Sequence, residues 1–253
     1  METSLSGDSL SLGLIIYATV VVFLAGAVRG YTGFGFSALV LLSLSLFIPP
    51  VVVVPVLLLL EVVASIHLLP SVWRHIDRRT LGWLMLGTIF SVPLGVYVLA
   101  SLPAAEMRII ISLLVLTTTI LLWRGYRFPG GGSQKLSFVT GLISGAMTGA
   151  AGVGGLIVVV MFLSVSAPVA VVRATMVAFL MLKDIYTLGI AGAYSLLNTD
   201  VFLAAIMLVL PLFAGVTVGR HLFNVTSPAV FQRFVLAILS TLSIAGIARA
   251  LIG

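Results

Sequence analysis

Two short glycine-rich segments hold the residues best placed to do chemistry: Gly30-Tyr31-Thr32-Gly33-Phe34-Gly35 and Gly149-Ala150-Ala151-Gly152-Val153-Gly154-Gly155. Dense glycine breaks a helix and leaves backbone N–H groups without intrahelical partners. In hydrocarbon such groups are tolerated only where protein or an aqueous cavity satisfies them. Two half-helix N-termini facing each other would present oriented amides, each carrying about half a positive charge. That is an environment for a small anion, with the hydroxyls of Thr32 and Tyr31 as further donors. The competing reading is helix packing through small residues four apart, which would use Gly26 with Gly30 and Gly145 with Gly149.

Isolated ionisable residues come next. Arg29 directly precedes the first segment inside an apolar stretch, where it must pair, bind an anion or reach an interface. Arg173 stands near an expected helix start after Pro168 and is open to the same two readings, site or anchor. Lys183 and Asp184 interrupt an apolar helix together. Adjacent residues point about 100° apart on a helix, so they need not pair with each other. Asp184 is a candidate carrier of a coupling proton or cation, with Lys183 balancing its charge; an ion pair between packed helices is the alternative. Glu61, alone in Val51–Leu69, is the other proton-relay candidate, with His67 about two turns away. His67, His75 and His221 form no metal-ligand spacing, and the chain has no cysteine. No metal or cofactor is expected.

These residues must be positioned by membrane helices. The chain has 253 residues, is 61% hydrophobic and only 8% charged, and has a mean hydropathy of +1.30. A soluble domain carries about 25% charged residues. Soluble-enzyme, nucleic-acid-binding and secreted classes are therefore excluded, and the net charge of +6 reads as membrane topology, not as a polyanion site. A span needs about 20 apolar residues, and the uncharged runs amount to roughly eight to ten segments. No period-2 alternation marks β-barrel strands, so the fold is expected to be an all-α integral membrane protein. The acidic N-terminus, Met1–Asp8, lacks a basic region before the first apolar run, which is expected to be a retained helix.

One glycine-rich polar break, Arg124–Lys135, divides the chain nearly in half. Gly26–Gly35 aligns with Gly145–Gly154, Pro49 falls on Pro168 at the same offset, and Gly95 on Gly215 and Arg108 on Arg233 at nearly the same. The organisation expected is an N-terminal membrane repeat over 1–124, a cytoplasmic linker over 125–135 and a C-terminal membrane repeat over 136–253. The loop Arg74–Arg79 is basic while its counterpart at Asn198–Asp200 has no base; the loop at Glu106 and Arg108 is balanced while its counterpart carries Arg220, His221 and Arg233. The bias switches sides, the signature of inverted repeats. Inversion requires an odd number of crossings per half. It follows if each glycine motif makes two short crossings or re-enters and returns; a single crossing there makes the repeats parallel.

On the glycine motifs, the apolar run after Gly35, and Pro168-Val-Ala-Val-Val-Arg-Ala-Thr175, the sequence resembles the TauE/SafE (sulfite exporter) family over nearly its whole length. The first motif departs from the family's usual Gly-x-Gly-Gly-Gly at Phe36; the second, Gly152-Val-Gly-Gly155, is closer. The resemblance implies a membrane transporter of small sulfur-containing anions such as sulfite, thiosulfate or organosulfonates. Together with the physical reading of the glycine breaks and isolated arginines above, it leaves Arg29, Gly30, Tyr31, Thr32, Gly33, Gly35, Gly149, Gly152, Gly154, Gly155, Arg173 and Thr175 as substrate-binding candidates.

The function expected is a secondary transporter working by alternating access at a midplane site in a bacterial cytoplasmic membrane. Its partners would be a small anion, lipid, a coupling proton or cation and, in a homo-oligomer, copies of itself, with no nucleic acid. No Walker sequence is present, so ATP is not the energy source. An anion channel and a non-transporting scaffold are the rivals. An intramembrane enzyme lacks any recognisable nucleophile–base or metal-ligand set.

Overall fold

A computed structural model describes residues 12–129, 131–223 and 228–252. The acidic N-terminal stretch Met1–Asp8 and its expected position lie outside the described residues. Among the described residues ten α-helices follow one another: α1 (Leu12–Thr32), α2 (Phe36–Leu44), α3 (Pro50–Val72), α4 (Arg78–Ser101), α5 (Ala104–Trp123), α6 (Gln134–Ala151), α7 (Gly155–Phe162), α8 (Val169–Ala193), α9 (Thr199–Phe223) and α10 (Pro228–Ile252). No strand occurs among the described residues, as the absence of period-2 alternation predicts. Among the described residues, five helices are long and apolar enough to cross a bilayer: α1, α3, α4, α5 and α9. The protein is an all-α integral membrane protein.

Local sequence places the breaks. Pro49 and Pro168 immediately precede α3 and α8, and Pro103 precedes α5, each at the helix entry where a missing N–H costs nothing. Asp77 caps α4, its carboxylate accepting from the backbone N–H groups of Arg79 and Thr80. Gly33 and Gly35 have φ of 83° and 89°, and Gly152 has 68°, left-handed conformations that stop α1 and α6. The two stops are built alike: Gly33 N donates to Arg29 O and Gly152 N to Thr148 O, both at 2.7 Å.

After each stop the chain turns back. Tyr17 Oη donates to Ser43 O at 3.2 Å and the Tyr17 ring meets Phe47 edge-on at 5.3 Å, so the end of α2 lies beside the start of α1. In the second half, Phe128 N donates to Ser164 Oγ at 2.6 Å, bringing the end of α7 back to the segment that precedes α6. Each glycine motif is thus the tip of a helical hairpin.

The halves, α1–α5 and α6–α10, are clasped into each other. Along α4 and α6, Thr88 lies against Gly145 and Val92 against Gly149; along α1 and α9, Leu212 lies against Gly26 and Val216 against Gly30. Residue numbers rise together in both cases, so α4 runs parallel to α6 and α9 to α1. A Cβ on any of these four glycines would sit closer than 3.0 Å to the facing backbone. Small residues therefore serve helix packing here, where burial of apolar side chains supplies little drive between lipid-bathed helices. The same contact recurs at Gly95, which meets Ala146 and Ala150, and at Gly219, which meets Ala27 and Tyr31. The counterpart of Gly95 is therefore Gly219, one turn beyond the expected Gly215. Finally, Asp77 N donates to Thr175 Oγ1 at 3.0 Å, which sets the end of α3 against the start of α8 and makes these two helices antiparallel.

Candidate functional site

The hairpin tips meet at a buried cavity of about 10 Å³, room for no more than a water molecule. Phe34, Gly35 and Ser37 line it from the first half, and Val153, Gly155 and Leu156 from the second. Glu61 of α3 and Leu180 of α8 close it between them, with Arg29 reaching in from the last turn of α1. The first turns of α2 and α7 contribute to this lining. At the offset that aligns the glycine motifs, Phe34 corresponds to Val153, Ser37 to Leu156 and Glu61 to Leu180. Equivalent positions from the two halves therefore line one cavity, but the first half supplies its polar wall and the second its apolar wall.

The polar wall is a compact ionic cluster. Arg29 is 2% exposed and Glu61 2%. Arg29 Nη1 lies 2.6 Å from Glu61 Oε2, close but without an aligned hydrogen bond to that oxygen. Arg29 Nη2 donates to Ser65 Oγ at 3.0 Å, and Ser37 Oγ donates to Glu61 Oε1. Arg29 Nε has no partner, so the guanidinium is held from one side only. Thr148 Oγ1, at the position equivalent to Arg29, lies behind Gly154, with Ser144 Oγ donating to Gly154 O at 2.8 Å.

Lys183 and Asp184 are fully buried in α8 and pair with each other directly. The 100° separation leaves such pairing open, and the lysine stem is long enough to swing its Nζ round to the neighbouring carboxylate. The formal charges of Lys183 and Asp184 cancel, as do those of Arg29 and Glu61.

The other candidates are distributed differently. Gly30 and Gly149 lie at the helix clasps, so the packing reading holds for them, while Gly33, Gly35, Gly152, Gly154 and Gly155 form the hairpin tips. Tyr31 is buried. Thr32 Oγ1 is consumed locally, 2.8 Å from Val28 O and 2.7 Å from Phe34 O, and accepts from Phe34 N at 3.2 Å. Arg173 is exposed on the first turns of α8. Thr175 ties α8 to the α3–α4 turn through Asp77, away from the cavity lining. His67 is exposed and meets Phe213 of α9 edge-on at 5.3 Å, so it does not share the buried environment of Glu61. Ser37 and Ser65, which hold the ion pair, carry no sequence signal that separates them from other small polar residues in the helices.

This architecture defines a multi-pass membrane protein with two glycine-tipped hairpins converging on a buried ionic cluster. The model of the sulfite exporter TauE/SafE family matches residues 18–246, and the chain belongs to that family of membrane transporters. No curated protein and no solved structure gives a significant match.

Proposed function

We propose that the protein is a secondary carrier of small sulfur-containing anions, moving them by alternating access at the cavity between the two hairpin tips. The observation that carries this reading is the convergence there of both glycine turns on Arg29, a buried cation with a spare donor. A cavity with no room for an anion supports a carrier that opens to each side in turn over an open channel. The protein does no covalent chemistry on this reading; energy comes from gradients.

The two units, 1–124 and 136–253 joined by 125–135, act on this reading as inverted repeats. Each hairpin returns to the side it entered from, and three longer helices then cross, giving odd parity. Following the chain on that basis, Arg74, Arg78, Arg79, Arg124, Arg127, Lys135, Arg173, Arg220 and Arg233 all fall at one face. Arg108, Arg249, Glu106 and Asp200 fall at the other. The basic face is cytoplasmic by the positive-inside bias, and Trp73, Trp83 and Trp123 lie near it. The membrane is the cytoplasmic membrane of a bacterium.

The test is uptake of labelled sulfite into proteoliposomes, with thiosulfate, sulfoacetate, taurine, sulfate and chloride as competitors. Saturable uptake with counterflow is the expected result. Absence of uptake for every sulfur anion, each also tried in labelled form, overturns the assignment.

A further inference from the structure

From the Arg29–Glu61 geometry we infer that a transported monoanion takes the place of Glu61 on Arg29 and that Glu61 then accepts one proton, so that anion and proton cross together with no net charge. The inference rests on the transport reading above and specifies how that site is energised.

The argument is one of charge conservation in a dry place. The cluster holds two cations, Arg29 and Lys183, and two carboxylates, Glu61 and Asp184, all buried. Leaving one charge of such a cluster uncompensated is costly in protein interiors and more so at membrane depth. Adding a monoanion makes the cluster net negative unless a carboxylate is neutralised. Of the two, Glu61 lines the cavity and Asp184 does not. Glu61 is also the carboxylate that the anion would displace, since it occupies Arg29 through one oxygen without an aligned hydrogen bond. Once protonated, it keeps Ser37 as a neighbour able to accept as well as donate.

The groups facing Glu61 support this assignment. Arg29 comes from α1, Ser37 from α2, and the Lys183–Asp184 pair acts on it from α8, with Ser65 on its own helix holding Arg29. The charged residues of the other helices packed on α3 stand at helix ends: Arg78 and Arg79 on α4, Glu106 and Arg108 on α5, Asp200 and Arg220 on α9. The second half offers no equivalent, because Thr148 and Leu180 occupy the positions of Arg29 and Glu61. One anion and one proton per cycle follow. The empty cluster and the loaded cluster are both neutral, so both can reorient.

The experiment uses purified protein in proteoliposomes and labelled methanesulfonate, a permanently ionised monoanion that carries no proton of its own near neutrality. An imposed pH gradient at zero potential should drive its accumulation, with one proton moved per anion reported by a trapped pH dye. A potassium diffusion potential without a pH gradient should drive none. Glu61→Gln should lose accumulation under the pH gradient, and Glu61→Asp should retain it. If Glu61→Gln does not fold, the wild-type proton count and insensitivity to potential decide the question. Potential-driven uptake without proton movement overturns the inference, as does pH-driven accumulation by Glu61→Gln. Loss of all exchange, sulfite included, in wild type overturns the transport reading instead. Sulfite exchange without methanesulfonate exchange overturns the inference alone.

Discussion

Gly95 on α4 and Gly149 on α6 face each other with no side chain between, and a Cβ on either would press into the partner's backbone. The contact joins opposite halves of the chain. Gly149→Ala is expected to destabilise the protein by about 1–3 kcal/mol, the usual cost of overpacking, with Gly30→Ala behaving alike at Val216. Gly33→Ala has open space and only its φ of 83° to contend with, at about 1–2 kcal/mol. Asparagine separates the causes. Gly33→Asn should recover much of the loss, since Asn tolerates the left-handed region, whereas Gly149→Asn should be worse than alanine. Thermal melts in detergent read this directly, and equal behaviour at both sites would refute the division between clasp and tip.

Removing one member of the Arg29–Glu61 pair leaves the other buried without compensation. Arg29→Leu and Glu61→Leu are each expected to cost about 3–5 kcal/mol. The double variant should be far closer to wild type than the sum of the singles, while transport is abolished in it. Additive losses in a double-mutant cycle would mean that the pair is not coupled.

The chain has no cysteine, which makes single-cysteine labelling clean. Cysteines placed at His75 and Arg127, both exposed, should react with an impermeant maleimide only when the cytoplasmic face is open to it. Those at Pro103 and Tyr194, also exposed, should react from the opposite side. A shared side for His75 and Tyr194, which lie just beyond the C-terminal ends of α3 and α8, would remove the inverted arrangement.

Asp77 caps α4, and its carboxyl is held below the usual 3.8 chiefly by the Thr80 hydroxyl, against a smaller opposing effect of burial. Its stabilisation is therefore complete above the unfolded-state value and is lost as pH falls through the lower folded one. Asp77→Ala is expected to cost ~1 kcal/mol as a lost N-cap. Asp77→Asn should retain most of the cap and abolish the acid-side part of the pH dependence, measured as melting temperature from pH 6 downward.

Helix class, membrane insertion and the helix breaks at the glycine motifs were legible because each follows from local sequence: long apolar runs, glycine density, proline at helix entries. That the chain folds back at those breaks was not, because it depends on contacts such as Tyr17 with Ser43 and Phe128 with Ser164. Glu61 shows where that legibility ends. Helical spacing relates it to His67 on its own helix, yet its partner is Arg29 on another, and nothing periodic in α3 says which helix it will meet. Gly215 and Gly219 are a similar case. Two glycines one turn apart are equivalent candidates until the backbone of α1 selects Gly219 as the match for Gly95. For Arg173 and Thr175 the helix start was readable from Pro168, but their distance from the hairpin tips depends on how α3 and α8 cross.

The clasp of α1 by α9 and of α6 by α4 carries a consequence for biosynthesis. As the chain leaves the ribosome, α4 can wait briefly for α6, but α1 reaches the bilayer long before its partner α9 exists. At ~5–20 residues per second that interval is on the order of ten to forty seconds. Throughout it, Gly26 and Gly30 sit in a half-built assembly whose closing helix has not been made, so the packing face of α1 stays uncovered by its partner until α9 has been synthesised.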